Sequence, residues 1–131
     1  MGHPTIYPTG VTVYNPEKCW NGFTIFQALE VGAVLMNMNG RENKVWKGVH
    51  GFPNKIFPGG YLMTSRGSRD GRYGVQDGLD LVQIDWDGNV VWKFDRNEYI
   101  EDPGIPGRWM ARSHHDYQRE GSTTGYYAPG M

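Results

Sequence analysis

Residues 82–94 have the sequence Val-Gln-Ile-Asp-Trp-Asp-Gly-Asn-Val-Val-Trp-Lys-Phe. Apolar side chains alternate with other residues on both sides of the Asp-Gly pair: Val82, Ile84 and Trp86 precede it, and Val90, Trp92 and Phe94 follow it. A period of two is that of a β-strand with one buried face, and the glycine supplies the positive φ of a tight turn. This segment therefore predicts a β-hairpin.

A second copy of this pattern lies earlier in the chain, at residues 34–47. Asn37 and Gly40 have the same spacing as Asp85 and Gly88, and both segments continue into Val-Trp-Lys, at 45–47 and at 91–93. After each tryptophan come a loop, a histidine and another apolar segment. A repeat of about 40–50 residues with about four short antiparallel strands is typical of a β-propeller blade.

Other apolar segments extend this all-β prediction. Residues 23–26 and 33–38 are predicted to form a strand pair, and residues 56–63 a hairpin with Pro58-Gly59 at its turn. The prolines and glycines at 103–107 predict a loop after the second hairpin. The predicted fold is a partial β-propeller of about two to two-and-a-half four-stranded antiparallel blades. A small β-sandwich or barrel is the alternative.

The repeat divides the chain into four parts. These are an N-terminal extension (1–22), a first repeat (23–66), a Gly- and Arg-rich loop (67–80) and a second repeat that contains the histidine cluster (81–131). Because a closed propeller has about 4–8 blades, we expect further blades from the rest of the protein or from a partner chain.

Bulk properties exclude several functions. The net charge of −1 favours neither nucleic acid nor a membrane surface as a partner. No signal peptide or membrane-spanning segment is predicted, so we expect a cytoplasmic location. Cys19 has no cysteine to pair with and is expected to be a small buried side chain. Arg66, Arg69 and Arg72 indicate a solvated loop or, as the alternative, a phosphate-binding patch.

The strongest candidate site is the sequence Arg-Ser-His-His-Asp-Tyr at residues 112–117. Histidine can bind oxyanions, attack electrophiles and transfer protons near neutral pH. If the segment is a strand, His114 and His115 point to opposite faces, and His115 is the candidate for a central channel. A structural histidine is the alternative, and a metal site would need ligands from elsewhere.

Several other residues are predicted to accompany this pair. His50 holds the corresponding place in the first repeat and is either a channel residue or an ordinary loop residue. Arg112 is expected to bind an oxyanion or to pair with Asp116 or Glu120. Tyr117 is a candidate substrate-binding residue.

Two pairs of aromatic residues are predicted to pack. Trp46 and Trp92 are expected in the core between blades. Tyr126 and Tyr127 are expected either to pack or to form a rim for a phenolic ligand.

Together these features resemble the N-terminal part of the arylsulfotransferase-type β-propellers. The resemblance includes Gly-Val-Thr-Val-Tyr-Asn-Pro-Glu-Lys at 10–18, Trp-Asn-Gly-Phe at 20–23, Phe26, the two hairpins and His-His-Asp at 114–116. It implies a propeller of about six blades with a channel lined by histidines and an arginine. It also implies sulfuryl transfer between phenols through a sulfated histidine, without a metal, a cofactor or a nucleotide donor.

In that family the sulfated histidine lies in a later blade than those present here. The resemblance therefore implies that His114 or His115 binds sulfuryl or phenolic oxygens of a phenol or aryl sulfate. Two other functions remain open. One is a propeller enzyme of different chemistry, either metal-dependent or a lyase or oxidoreductase with histidine as acid and base. The other is a non-catalytic interaction or structural module.

Overall fold

A computed structural model describes residues 11–118 of the chain, and these residues form an all-β structure with one short helix. The elements are β1 (Phe23–Ala28), β2 (Gly32–Asn37), β3 (Glu42–Lys47), β4 (Lys55–Phe57), β5 (Tyr61–Thr64), α1 (Gly71–Gly74), β6 (Leu81–Ile84), β7 (Val90–Phe94), β8 (Glu98–Asp102) and β9 (Ile105–Met110). No helix among the described residues is long and apolar enough to cross a membrane.

The strands form three antiparallel sheets, each in chain order. The N-terminal sheet contains β1, β2 and β3, the central sheet contains β4 to β7, and the C-terminal hairpin contains β8 and β9. Within residues 11–118 none of these sheets closes on itself. The all-β prediction is therefore confirmed.

The two predicted hairpins are confirmed, and their turns have the same hydrogen bonds. The Oδ1 atom of Asn37 accepts from the backbone N–H groups of Asn39 and Arg41, both at 3.0 Å. In the second copy, the Oδ1 atom of Asp85 accepts from the equivalent groups of Asp87 and Asn89, at 2.9 and 2.8 Å. Gly40 and Gly88 both have positive φ, at 76° and 92°.

The strand register shows that the two copies of the hairpin align without an insertion or deletion. β2 and β3 shift register between Leu35 and Met36, and β6 and β7 shift at the equivalent place, between Gln83 and Ile84. Ala33 lies opposite Trp46, and its equivalent Leu81 lies opposite Phe94. The structural equivalent of Trp46 is therefore Phe94, and the alignment of Trp46 with Trp92 from the sequence is wrong.

The main core lies between the N-terminal and central sheets. Its buried side chains come from both sheets and the loop between them: Ala33, Leu35, Trp46, Val49, Leu62, Val82 and Ile84. Trp46 is 3% exposed, and its indole N–H donates to the carbonyl oxygen of Asp85 at 3.3 Å. The predicted packing of Trp46 between two sheets is confirmed.

A second cluster covers the opposite face of the central sheet. Phe57, Met63, Leu81 and Ala111 form it, and Tyr61, Trp92 and Tyr117 pack against it. β6 is consequently buried on both faces, which a strict period of two does not predict. This burial does not extend to Trp86, which lies beyond the end of β6 and is 41% exposed.

Two other expectations differ from the structure, and the division into repeats stays a prediction. Cys19 is exposed rather than buried. The central sheet joins β4 and β5, from the predicted first repeat, to β6 and β7, from the second. The predicted loop at 103–107 is instead part of the C-terminal hairpin.

Candidate functional site

A cavity of about 270 Å³ lies at the end of the sheet–sheet interface where β1 ends and the chain approaches β4. Its lining residues are Gln27, Leu29, His50, Gly51, Phe52, Ser65, Gly67, Ser68, Val75, Gln76, Gly78, Ser113 and Tyr117. Hydroxyl and amide groups lie beside apolar side chains in this lining, a combination that is common in small-molecule sites.

A buried hydrogen-bond network fixes the loop between β3 and β4 under this cavity. Asn54 is 8% exposed, and its Nδ2 group donates to Oε1 of Gln27 at 2.9 Å. The fully buried Thr64 hydroxyl donates to Oδ1 of Asn54 at 2.7 Å. The Nε2 group of Gln27 donates to the carbonyl oxygen of Val49 at 2.9 Å. The network joins the two sheets and holds the residues on either side of His50.

His50 presents an exposed side chain to the cavity from this loop. Its backbone N–H donates to the carbonyl oxygen of Ser65 at 2.6 Å. The imidazole is therefore carried on a backbone that is anchored to the end of β5. The sequence left His50 as either a channel residue or an ordinary loop residue. Its position in this loop, facing the cavity, does not test a role in chemistry.

The segment that contains His114 and His115 is a tight turn rather than a strand. His115 has a φ of 64°, and the backbone N–H of Asp116 donates to the carbonyl oxygen of His114 at 2.8 Å. A hydrogen bond across the central residue with a positive central φ is a γ-turn of the rare and strained form. The two imidazole rings therefore meet edge to face, with centroids 4.1 Å apart. The expectation that they point to opposite faces of a strand is wrong.

His115 lies beside the wall of the cavity that His50 lines. Its ring centroid is 5.2 Å from that of Phe52, which is part of the cavity lining. Two histidines that are distant in sequence thus lie in or beside the lining of one cavity. His114 instead lines a second cavity of about 320 Å³, together with Arg69, Tyr73, Gly74, Asp77 and Arg112.

Asp116 and Tyr117 attach the histidine turn to β4. The Nζ group of Lys55 lies 2.6 Å from Oδ1 of Asp116 and donates to the carbonyl oxygen of Tyr117 at 2.6 Å. The hydrogen bond from Lys55 lowers the pKa of Asp116 below its ordinary value. Asp116 is therefore a carboxylate that positions the turn.

Tyr117 lines the cavity, but its hydroxyl group is already engaged. The hydroxyl lies 2.5 Å from the carbonyl oxygen of Pro53 and 2.6 Å from that of Met63. Its single O–H group donates to one of these two acceptors at a time. Burial raises the pKa of Tyr117 above its ordinary value. The structure therefore offers the ring of Tyr117 to a ligand, rather than a phenolate or a free donor.

Arg112 is held in ion pairs rather than presented to the cavity. Its Nε atom lies 3.1 Å from Oδ2 of Asp77, and its Nη1 atom lies 2.6 Å from Oε2 of Glu98. Hydrogen bonds to Glu98 and Asp77 raise the pKa of Arg112. An ion pair was one of the two predicted roles, but the partners differ from Asp116 and Glu120, and Glu120 lies outside the described residues.

The arginines of the loop after β5 also have acidic partners. Arg69 makes a bidentate contact with Asp102, at 2.9 and 2.5 Å, and a further contact with Asp77 at 3.3 Å. Its hydrogen bonds lower the pKa of Asp102. Two similar contacts join Arg66 to Asp80 at 2.8 Å and Arg72 to Asp70 at 2.8 Å. This arrangement supports a structural loop rather than a phosphate-binding patch.

The buried partners Asn54, Ser65, Asp77 and Asp80 were not singled out from the sequence. A signal for the aspartates is present, because arginines and aspartates are interleaved within residues 66–80. Such balanced charge favours local pairing. Gln27 and Asn54 carry no comparable signal, because their partners come from elements that are distant in sequence.

Within residues 11–118, no group of three or more His, Cys, Asp or Glu side chains is arranged to hold a metal ion. Tyr126 and Tyr127, predicted either to pack or to form a rim for a phenolic ligand, lie outside the described residues. Comparison of the chain with protein-family models, with curated proteins and with solved structures found no match.

Proposed function

We propose that this chain supplies part of the wall of a β-propeller that transfers a sulfuryl group between phenolic compounds. The ligand at the cavity is an aryl sulfate or a phenol. The nucleophilic histidine belongs to a later blade, supplied by the rest of the protein or by a partner chain. The cytoplasmic location expected from the sequence stays a prediction.

The observation that carries this proposal is the closeness of both His50 and His115 to the cavity that Phe52 lines. His50 and Phe52 line the same cavity, and the ring of His115 is 5.2 Å from that of Phe52. An aromatic side chain with imidazoles nearby suits a ligand that combines a phenyl ring with a polar or anionic group. The adjacent serines, Ser65 and Ser113, add hydroxyl groups to the same lining.

The strain at His115 further supports a role for this residue. A positive φ in a non-glycine residue costs free energy, and such residues are concentrated at functional sites. Here the backbone φ is 64°, and the ion pair between Lys55 and Asp116 holds the next residue in place. The chain thus maintains a conformation that directs the His115 ring towards Phe52.

The proposed reaction proceeds in two displacements. A histidine nitrogen attacks the sulfur atom of the aryl sulfate, the bond between sulfur and the aryl oxygen breaks, and its electron pair leaves on the phenolate oxygen, which takes a proton. The acceptor phenol then loses its proton, and its oxygen attacks sulfur. The nitrogen–sulfur bond breaks and returns its electron pair to the histidine. Covalent transfer of this kind divides one difficult step into two easier ones.

His50 and His115 are proposed to act on the oxygens rather than as the nucleophile. In the imidazolium form they donate hydrogen bonds to sulfuryl oxygens, and in the neutral form they accept a proton from the acceptor phenol. Arg112 has no part in this scheme, because Asp77 and Glu98 already hold its guanidinium group.

The test is the rate of 4-nitrophenol release from 4-nitrophenyl sulfate in the presence of phenol, measured on the full chain in its assembled form. His50→Ala and His115→Asn should each lower the rate roughly 100-fold. Asparagine is chosen at 115 because it tolerates a positive φ. His114→Ala, which changes the other cavity, should have a smaller effect. Wild-type rates in both the His50 and His115 variants, or no release by the unaltered protein, would overturn the proposal.

Two other functions would give different results. A metal-dependent propeller enzyme would contain a stoichiometric transition metal in the purified assembly and would lose activity with a chelator. A non-catalytic module would bind phenols or proteins through the same cavity with no turnover. The engagement of Arg112 in ion pairs favours the second of these alternatives over an arginine-assisted enzyme.

A further inference from the structure

We propose that Asn21 is a site of spontaneous modification, at which the side-chain amide is lost and the residue becomes aspartate or isoaspartate. The reaction takes place between the side chain of Asn21 and the backbone nitrogen of Gly22, and water is its only co-reactant. The inference goes beyond the proposed function and does not depend on sulfuryl transfer.

The reaction needs an asparagine followed by a residue whose backbone nitrogen can reach the side chain. This nitrogen loses its proton to the solvent and attacks the Cγ atom of the asparagine. A nitrogen–carbon bond forms, the bond from Cγ to the side-chain nitrogen breaks, and ammonia leaves with a proton that the solvent returns. Water then opens the cyclic imide at either carbonyl group. Glycine is the most favourable second residue, because it has no Cβ atom to hinder the approach.

The chain contains two Asn-Gly pairs, Asn21-Gly22 and Asn39-Gly40. The sequence alone does not distinguish them. The structure places them in different environments, since the second pair lies inside a hydrogen-bonded turn and the first lies ahead of β1.

The turn between β2 and β3 protects the second pair. The N–H group of Gly40, which would have to lose its proton, donates to the carbonyl oxygen of Asn37 at 3.0 Å. The N–H group of Asn39 donates to Oδ1 of Asn37, also at 3.0 Å. Attack on Cγ of Asn39 would require these hydrogen bonds to break and the turn to rotate. This pair should therefore react slowly in the folded protein.

The first pair has none of these restraints. Asn21 is exposed, and both residues precede the first ladder pair of β1, which joins Phe23 to Asn37. Among residues 11–118, no partner accepts a hydrogen bond from the N–H group of Gly22. A Cβ atom at Gly22 would meet nothing within 4 Å, so the space around this residue is open. The backbone nitrogen and the side chain are therefore free to come together.

The modification changes the charge ahead of β1 and, in isoaspartate, the length of the main chain. Both products carry a carboxylate in place of the neutral amide, and isoaspartate adds one methylene group to the backbone. The flanking side chains Trp20 and Phe23 are 93% and 62% exposed, so the new charge lies at an open surface. Gln27 and Leu29, which line the cavity, lie at the opposite end of β1. The change should therefore loosen the start of the strand and leave the cavity intact.

The experiment incubates the full chain in mildly alkaline buffer, digests samples with trypsin and locates a gain of about 1 Da by tandem mass spectrometry. Both pairs fall in one tryptic peptide, 19–41, so each pair is measured against the other in the same spectrum. In the folded protein, Asn21 should be converted and Asn39 should remain unchanged. In concentrated urea, where the turn is lost, both should be converted at similar rates.

Gly22→Ala is the variant control. The open space at this position accepts the added methyl group, so the variant should fold. Its Asn21 should show no detectable conversion over the period in which most wild-type chains react. Equal conversion of Asn21 and Asn39 in the folded protein would overturn the proposal, as would wild-type conversion in Gly22→Ala. An Asn21 that is stable in the folded protein and reacts only in urea would overturn it too.

The outcome is separate from that of the proposed reaction. Asn21→Asp carries the charge of the product and should release 4-nitrophenol at the wild-type rate, because the residue is remote from the cavity. If the unaltered protein releases no 4-nitrophenol, the proposed function is removed and the modification site remains. If both asparagines react equally, only the modification site is removed.

Discussion

Gly51 permits a close approach that holds the His50 loop in place. A Cβ atom at this position would lie 2.0 Å from Oδ1 of Asn54 and 2.6 Å from the hydroxyl of Thr64. Gly51→Ala should therefore break the buried network and lower the free energy of unfolding by about 3 kcal/mol. Urea denaturation measures this change.

Gly22→Ala is the matched control for this substitution. A Cβ atom at Gly22 would meet nothing within 4 Å. The control should unfold at the same urea concentration as the wild type. Equal midpoints for all three proteins would show that the network under the cavity does not depend on Gly51.

Asp77 stabilises two arginines at once. Its side chain is 10% exposed and contacts both Arg69 and Arg112. Asp77→Asn should lower the free energy of unfolding by about 2 kcal/mol. This loss is smaller than that expected for a fully buried ion pair, because the Arg112 side chain is 33% exposed. Guanidinium chloride is unsuitable for this measurement, since it screens charge, so urea should be used.

Asp70→Asn tests whether burial determines the effect of Asp77. Asp70 pairs with Arg72, whose side chain is 65% exposed. Exposed pairs contribute little, so the midpoint should move much less than in Asp77→Asn. A larger shift in Asp70→Asn than in Asp77→Asn would contradict this explanation.

The sequence identified some of the residues at the cavity but not their contacts. His50, His115 and Tyr117 could be singled out because histidine and tyrosine carry distinctive chemistry. The left-handed φ of His115 occurs beside Asp116, which contacts Lys55 on a segment distant in sequence, and no local pattern predicts that contact. Both partners of Arg112 are also distant from it, so no local pattern predicts them.

The two Asx-stabilised turns, formed at residues 37–41 and 85–89, set the register of the repeated hairpins. Asn37 and Asp85 perform the same function, since the oxygen of either side chain accepts from two backbone N–H groups. Asp85→Asn should therefore unfold at nearly the wild-type urea concentration. Asp85→Ala should unfold at a lower concentration because the acceptor of both hydrogen bonds is lost.

A clear contradiction would be equal midpoints for Asp85→Asn and Asp85→Ala. That result would mean that Gly88 and the strand pairing alone determine the turn.

The sequence predicted these hairpins well because the turn residues and the alternation of apolar residues are local features.

The C-terminal hairpin shows where local features fail. Pro103, Gly104, Pro106 and Gly107 favour a loop, but β9 contains Pro106 and Gly107 within a strand. Proline is accepted in an edge strand, where its missing N–H group costs no ladder bond. Arg69 binds Asp102 at the end of β8. Secondary-structure propensities do not include a tertiary contact of this kind.

The molecule as a whole should lose stability in acid. Hydrogen bonds from Arg72 lower the pKa of Asp70 from 3.8 to about 2. Arg69 lowers the pKa of Asp102, and Lys55 lowers that of Asp116, from the same ordinary value. Each lowered pKa belongs to the folded state, so the stabilisation is complete above the unfolded value and is lost as the pH falls through the folded value.

Urea midpoints measured at low ionic strength should therefore be constant near neutral pH and should fall between about pH 4 and pH 2. Added salt should reduce the fall, because it screens the exposed pairs. A midpoint that stays constant through this range would show that these carboxylates have ordinary pKa values in the folded protein.

The sequence predicted an all-β chain with a repeated hairpin, and both are present. The face-to-face packing of the two large sheets depends on Trp46, whose environment could be predicted from its place in the repeat. The extent of each sheet could not be predicted. β4 and β5 join β6 in one sheet, and the periodicity of the sequence does not indicate this pairing.

Intact-mass spectrometry of the assembly after exposure to an aryl sulfate tests the proposed chemistry most directly. A polypeptide should gain ~80 Da through a sulfated histidine, and this gain should disappear when phenol is added. His115→Asn should slow the gain without preventing assembly. Turnover of the aryl sulfate without a covalent adduct, or no turnover and no adduct, would contradict sulfuryl transfer through histidine.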